Sequence, residues 1–376
     1  MENLVDDIFE MDCNELMYFE MPIDKQFGLC IYHKNVKYEF LINIKPDSDR
    51  LIVLSSAAIP KNKKIVGKPY FNRWSWEYNE SYICYNDPTF YLHPELLGGW
   101  GVGDEDNYYL EKIKDILAII AKKISVSNEN ILFYGSSMGG FMSIQLATMM
   151  KDSTALAEIP QFELNKWLYW DRLKKYLFSD LDDDEIIERY GYRIDVLEMM
   201  KKEKYVPKLV LLLDFSSKTD VKLQYLDFFE KLSEFPFTGQ ENKIKIVIEG
   251  KNIGHKPIGR IYCQNIIDGI SNKNFMIWNE EIEDSELFIE KVLLNEKHDS
   301  LNEKYDELSS KYYSLNNKYE ALNKEYDDLN GRYTSLNSAH NDLTSRYESL
   351  NEKYSEINKR YRFLSSRLPR LIKRLK

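Results

Sequence analysis

Ser137 sits between glycines in Gly135-Ser136-Ser137-Met138-Gly139, the G-x-S-x-G pattern. An apolar run, Asn130–Tyr134, precedes it and an amphipathic stretch from Gly140 follows. That context is the strand–turn–helix of a nucleophile elbow, in which glycines permit a turn that a β-carbon would block. Such a turn lifts the Ser137 hydroxyl above the sheet edge. It also aims the backbone N–H of Met138 at the same point, where it can stabilise an oxyanion. A serine nucleophile needs a base, and the chain offers 5 histidines. His298 and His340 fall in a C-terminal heptad repeat, His33 in an early strand or turn, and His93 before the serine. His255, just after the last expected strand, alone fits the chain order nucleophile, acid, base that accompanies this elbow. The acid is expected near the end of LVLLLDFSSKTD, at Asp220 or at Asp214. Asp220 is preferred because it lies a few residues past the strand, although it also reads as a helix N-cap. Either carboxylate would orient His255 and stabilise its imidazolium. A second oxyanion donor is expected from Ser55–Pro60, with Ala57 first and Ala58 second, although no HGGG-type run is present.

The elements that must carry these residues alternate. Expected strands are Gly28–Tyr32, Tyr38–Ile44, Leu51–Ser55, Tyr82–Tyr85, Asn130–Tyr134, Ala155–Ile159, Lys208–Asp214 and Lys243–Glu249. Several are continuous apolar runs, as in strands covered on both faces. Helical stripes lie over Asn107–Ile124, Gly140–Met150 and Lys222–Leu232. Alternation of this kind predicts an α/β fold with a mainly parallel sheet, the first strands pairing as an antiparallel meander. Between residues 161 and 207 the alternation stops, and an aromatic, charged stretch reads as a helical lid insertion.

From Leu294 to Leu364 a leucine recurs every seven residues, with Ile357 taking one place. Three residues before most of these stands a tyrosine. With Tyr at a and Leu at d this is a heptad coiled coil, which implies self-association or a partner helix. The e positions are mostly Asn and the g positions mostly Lys or Arg. From Lys359 onward the tail holds eight Lys/Arg and no acid. It is basic and amphipathic, suited to an anionic membrane surface or an acidic partner, and Pro369 is expected to kink or end the helix within it. The organisation is thus a catalytic-type domain over 1–290, a coil over 291–364 and a basic tail over 365–376.

Composition limits the alternatives. The 376 residues are 43% hydrophobic and 30% charged, with a net charge of −10 and a mean hydropathy of −0.50. Residues 291–376 hold 17 basic and 13 acidic groups, so the body before them is strongly acidic. An acidic body argues against nucleic acid, whose phosphates need clustered Lys and Arg. The 4 cysteines show no CxxC spacing, so neither a zinc site nor a redox pair is expected, and free thiols suit a reducing cytoplasm. The acidic start lacks a signal-peptide pattern, and no stretch of about 18 apolar residues occurs. No cofactor or metal is implied.

The residues resemble the α/β-hydrolase superfamily over roughly 25–275. The segments PYFNRWSW (Pro69–Trp76), DPTFYLHPELLGGWGVG (Asp87–Gly103), YGSSMGG and GHKP look like the branch holding the accessory Sec-system acetyltransferase and capsule-associated hydrolase-like proteins. That resemblance implies a triad of Ser137, Asp220 and His255. It further implies an O-acetyltransferase or esterase acting on an acylated glycan; a catalytically inactive scaffold is the alternative. Independently, Phe71, Trp74, Trp76, Tyr91 and Trp100 are candidates to stack on sugar faces.

Overall fold

The computed structural model describes residues 1, 4–235, 244–249, 254–271 and 285–372. The chain divides into two compact units, Met1–Asp299 and Ser300–Lys376.

The first unit is built on one nine-stranded sheet in the order β1-β2-β3-β5-β4-β6-β7-β8-β9. The strands are β1 Ile8–Asp12, β2 Gln26–His33, β3 Val36–Asn43, β4 Leu51–Leu54, β5 Ser81–Tyr85, β6 Ile131–Ser136, β7 Thr154–Glu158, β8 Lys208–Asp214 and β9 Ile244–Glu249. From β5 to β9 every neighbouring pair is parallel, while β3 is antiparallel to both β2 and β5. This is the α/β-hydrolase fold with one extra edge strand.

The parallel strands are the apolar runs. Val-Leu-Leu-Leu within β8 and all of β6 are buried, because helices cover both faces. Helix α1, Tyr109–Lys123, buries Leu110, Ile113, Ile116, Leu117 and Ile120, the stripe seen in its sequence. Helix α2, Met138–Met149, is buried nearly throughout and packs against β6 and β7. Helix α8, Arg260–Ser271, closes the opposite face, where Leu132, Tyr134, Leu156 and Leu212 meet Cys263, Ile266 and Ile267.

Two expectations are corrected. Strand β1, Ile8–Asp12, was not anticipated; its side chains are only half covered, so no clean alternation marks it. The early strands do not form a simple meander either. Chain order β3–β4 is not spatial order, because β4 crosses over to lie between β5 and β6 and is parallel to both.

Between β7 and β8 the chain forms the expected helical insertion. It holds α3 Trp170–Leu177, α4 Asp183–Ile194 and α5 Val196–Glu203. Asp182 and Glu185 form a reciprocal capping box at the start of α4. After β8 come α6 Lys218–Asp220, a π turn over Val221–Tyr225 and α7 Leu226–Ser233.

The second unit is helical. Helix α9 runs from Ser285 to Ile372 over 88 residues, about 130 Å at ~1.5 Å per residue. It passes Pro369, so the proline does not end it; the ring removes one backbone donor in a very long ladder. The start of the expected strand at Lys243 and the last basic residues, 373–376, lie outside the described residues. So do the side chains at the first repeats, Leu294, His298 and Leu301. No helix among the described residues is long and apolar enough to cross a membrane.

Candidate active site

The carboxyl ends of β6, β7 and β8 converge on one place. At the end of β6 the turn is as tight as the glycines require. A β-carbon on Gly135 would lie 2.4 Å from the carbonyl carbon of Gly139, and one on Gly139 would lie 2.8 Å from the Ser56 oxygen. Between them Ser137 adopts φ +53°, ψ −118°, a strained conformation for a residue with a side chain. Its N–H donates to the carbonyl of Glu158 at 2.8 Å, which ties the elbow to the end of β7.

The Ser137 Oγ lies 2.8 Å from His255 Nε2, and His255 Nδ1 lies 2.7 Å from Asp220 Oδ2. Asp220 is buried while His255 keeps 29% of its side-chain surface exposed. With Asp220 accepting at Nδ1–H, Nε2 is left to accept the serine proton. Asp220 stands in the first turn after β8, and the cap of that turn is Ser217, whose Oγ accepts from the Asp220 N–H. Asp214 is placed differently. Its Oδ1 accepts the Ser216 N–H at 2.7 Å, and its Oδ2 has no partner among the described residues. The histidine loop is docked by Gly254, at φ +68°, whose N–H donates to Ser216 Oγ at 3.1 Å.

The expected oxyanion donors flank the elbow. Met138 opens α2, so its N–H precedes the intrahelical ladder. Neither the Met138 N–H nor the Ala57 N–H has an acceptor among the described residues. Ala57 is half-buried and Ala58 is exposed. Their loop is held close by Ser55 Oγ, 2.9 Å from Ser143 Oγ, and by the packing of Ser55 and Ser56 carbonyls against Gly139.

Four side chains that sequence reasoning did not single out, Gln161, Trp167, Arg73 and Glu158, complete the surroundings together with Trp100. Gln161 is buried, and its Nε2 donates to Ser137 Oγ at 3.0 Å. Trp100 Nε1 donates to Gln161 Oε1 at 3.0 Å, which fixes the amide's orientation. The ring of Trp167, from the insertion, lies 5.1 Å from that of His255. Beneath the elbow, the Arg73 guanidinium donates to Ser136 Oγ at 2.8 Å and lies 3.5 Å from Glu158 Oε2. Glu158 also accepts from Tyr134 Oη at 3.2 Å and from the Ile258 N–H. The signal for Gln161 was its place just past a buried parallel strand, the same sheet edge as Ser137. Arg73 and Glu158 are 85 residues apart, and no local pattern joins them.

The tryptophan candidates separate. Trp100 stands behind Ser137 through Gln161. Trp74 and Trp76 pack half-buried against the α8-side core, with Trp76 beside Tyr78 and Tyr134. The glycine-rich run Asp87–Gly103 is a structural cradle. Asp87 accepts the N–H groups of Thr89 and Gly101, each at 2.9 Å, and Thr89 Oγ1 accepts that of Gly103 at 3.2 Å. Burial holds the Asp87 carboxyl above its usual range against these hydrogen bonds. Among the described residues no group of three His, Cys, Asp or Glu is placed to hold a metal.

The sheet order and the elbow define an α/β-hydrolase-fold protein with a hydrogen-bonded serine, histidine and aspartate at the strand ends. No protein-family profile matches the sequence, and no curated protein is similar to it. Among solved structures it is similar to the capsule O-acetyltransferase of Neisseria meningitidis serogroup A, at 16% identity and a TM-score of 0.43, covering 66% of this chain and 96% of that one. FphF, a fluorophosphonate-binding serine hydrolase of Staphylococcus aureus, matches at 16% identity and 0.44, over 66% and 98%. The Glycosylation Associate Protein (Gap123) complex of Streptococcus agalactiae matches at 16% and 0.46, over 67% and 47%.

Proposed function

We propose that the protein is a serine esterase or O-acyltransferase. The observation that carries this is the continuous relay Ser137 Oγ–His255 Nε2–Asp220 Oδ2, with both links inside hydrogen-bond range. His255 takes the Ser137 proton as Oγ bonds to the acyl carbon, and the carbonyl electron pair moves to oxygen. The Met138 and Ala57 N–H groups receive that charge. Collapse expels the alcohol, which leaves with the proton from Nε2. The acyl-enzyme then passes to water or to a second hydroxyl, activated in turn by His255.

An acylated glycan is the substrate class we favour. The support is the resemblance of the PYFNRWSW, GGWGVG and GHKP segments, together with the aromatic surface beside the base. Leu168 and Tyr169, which follow Trp167, are 66% and 57% exposed, a suitable platform for an apolar sugar face. Whether the acyl group passes to water or to a hydroxyl depends on how well this rim excludes water. A fluorophosphonate probe tests the nucleophile. It is expected to label the wild-type protein and not Ser137→Ala; labelling that persists in the variant would remove Ser137 as the nucleophile.

A further inference from the structure

Among the described side chains, helix α9 leaves its seam exposed from Leu308 to Leu364. Leu308 is 66% exposed, Leu329 65% and Tyr347 68%, and the pattern repeats through Leu364. A largely apolar seam of that length in water needs a partner. The flanking rows say which partner. The e row is Asn, Ser or Thr at every heptad from Asn302 to Ser365, and the g row is Lys or Arg apart from Glu325 and Ala339.

The g arginines are already engaged on their own helix. Arg332 pairs with Asp328 at 3.0 Å, Arg346 with Asp342 at 3.0 Å and Arg360 with Glu356 at 2.6 Å. Arg367 lies over the Phe363 ring, 4.2 Å from its centroid. Each partner is the c residue four places earlier. On a helical wheel c lies beyond g from the seam, so these contacts draw the guanidinium groups outward. An acidic partner helix would therefore meet cations already neutralised. A second helix of the same chain in antiparallel orientation would set the g rows face to face, Lys and Arg against Lys and Arg. In parallel orientation g faces e of the other helix, and cations meet neutral amides and hydroxyls.

We propose that this face is occupied by a second copy of the same chain, parallel and in register. Register follows from two breaks in the repeat between Tyr305 and Leu364. His340 replaces tyrosine at a and Ile357 replaces leucine at d. Full alignment sets each against its own equivalent and buries every layer, whereas a slip by one heptad mismatches both and loses an end layer.

The test uses the full-length protein. Sedimentation is expected to give a mass at least twice 44.6 kDa. Leu308→Cys and Leu364→Cys, prepared separately, are each expected to form a covalent homodimer on mild oxidation, while wild type forms none. Antiparallel copies would hold like positions tens of ångströms apart and leave both variants uncrosslinked. Leu329→Asp combined with Leu336→Asp is expected to yield a monomer that still labels at Ser137 like wild type. A monomeric wild-type protein, or an oligomer in which neither cysteine variant crosslinks, overturns the proposal.

Discussion

Replacing Arg73 with methionine probes how the active-site floor is held. The guanidinium is 5% exposed and the Glu158 side chain fully buried. The cation lies 4.7 Å from the centroid of Tyr134 and 5.4 Å from that of Trp76. Methionine keeps much of that packing but takes the cation away from the Glu158 carboxylate, which retains the Tyr134 hydroxyl and the Ile258 N–H among its partners. Breaking one side of a buried pair costs about 3–5 kcal/mol. An independent ceiling comes from the alternative open to Glu158, which is to take up a proton. From an ordinary value near ~4.3, protonation at about pH 7.5 costs roughly 4 kcal/mol at ~1.36 kcal/mol per unit. The two figures agree, so Arg73→Met is expected to lose about 3–4 kcal/mol near pH 7.5. The loss carries a pH signature. In the variant, burial raises the folded-state carboxyl above its unfolded value, so the penalty is present at high pH and fades as pH falls toward the unfolded value. Glu158→Gln in the same chain removes the stranded charge and is expected to recover at least ~2 kcal/mol. Urea unfolding of wild type and the two variants at pH 8 and pH 5 reads all of this. An Arg73→Met protein within ~1 kcal/mol of wild type at pH 8, or one whose deficit does not shrink at pH 5, would refute the reasoning.

Asp220→Asn is expected to lower esterase turnover roughly 10⁴-fold, because the amide favours the wrong imidazole tautomer. Asp214→Asn should stay within about tenfold, and the reverse ranking in a p-nitrophenyl acetate assay would make Asp214 the acid. Asp195 caps α5 by accepting the N–H groups of Leu197 and Glu198. Burial, with Glu163 nearby, raises its carboxyl to about 6. A raised acid costs nothing below its unfolded value and increasingly destabilises as pH climbs through about 6. Asp195→Asn, which retains a capping oxygen, should therefore stabilise by at most about 3 kcal/mol at pH 8. It should change little near pH 4. Thermal unfolding at the two values checks the sign.

What could be read in the sequence was what local physics encodes. The elbow was legible because Gly135 and Gly139 are steric necessities a few atoms apart. The parallel strands were legible because burial on both faces leaves long apolar runs. The long C-terminal helix was legible because its heptad period is strict. Strand β1 was missed because it is an edge strand with half-exposed side chains and no alternation. The crossover of β4 was missed because spatial order depends on which neighbour buries best, not on loop length. The choice between Asp220 and Asp214 stayed open for a related reason. Both lie near the strand end, and only the path of the chain through Ser216 and Ser217 decides which carboxylate meets His255.

Strain marks the same boundary. Arg73, Trp100, Ser137 and Ile159 all hold positive φ without being glycine, and all four border the site. Such conformations persist where the surroundings over-determine them, and Glu158 is the residue that does so here. Its carbonyl receives the Ser137 N–H and its carboxylate receives the Ile258 N–H, three residues past His255. Ser137 and His255 are thus referenced to one point at the end of β7. The loop after β8 that carries Asp220 is tied to the His255 loop through Ser216 and Gly254. Since each link is a backbone donor fixed to an acceptor at a strand end or in the loop after it, the three side chains keep their spacing even if the insertion moves. Changes at Glu158 should therefore disturb Ser137 and His255 together, whereas changes in α3 to α5 should alter access while leaving the relay distances intact.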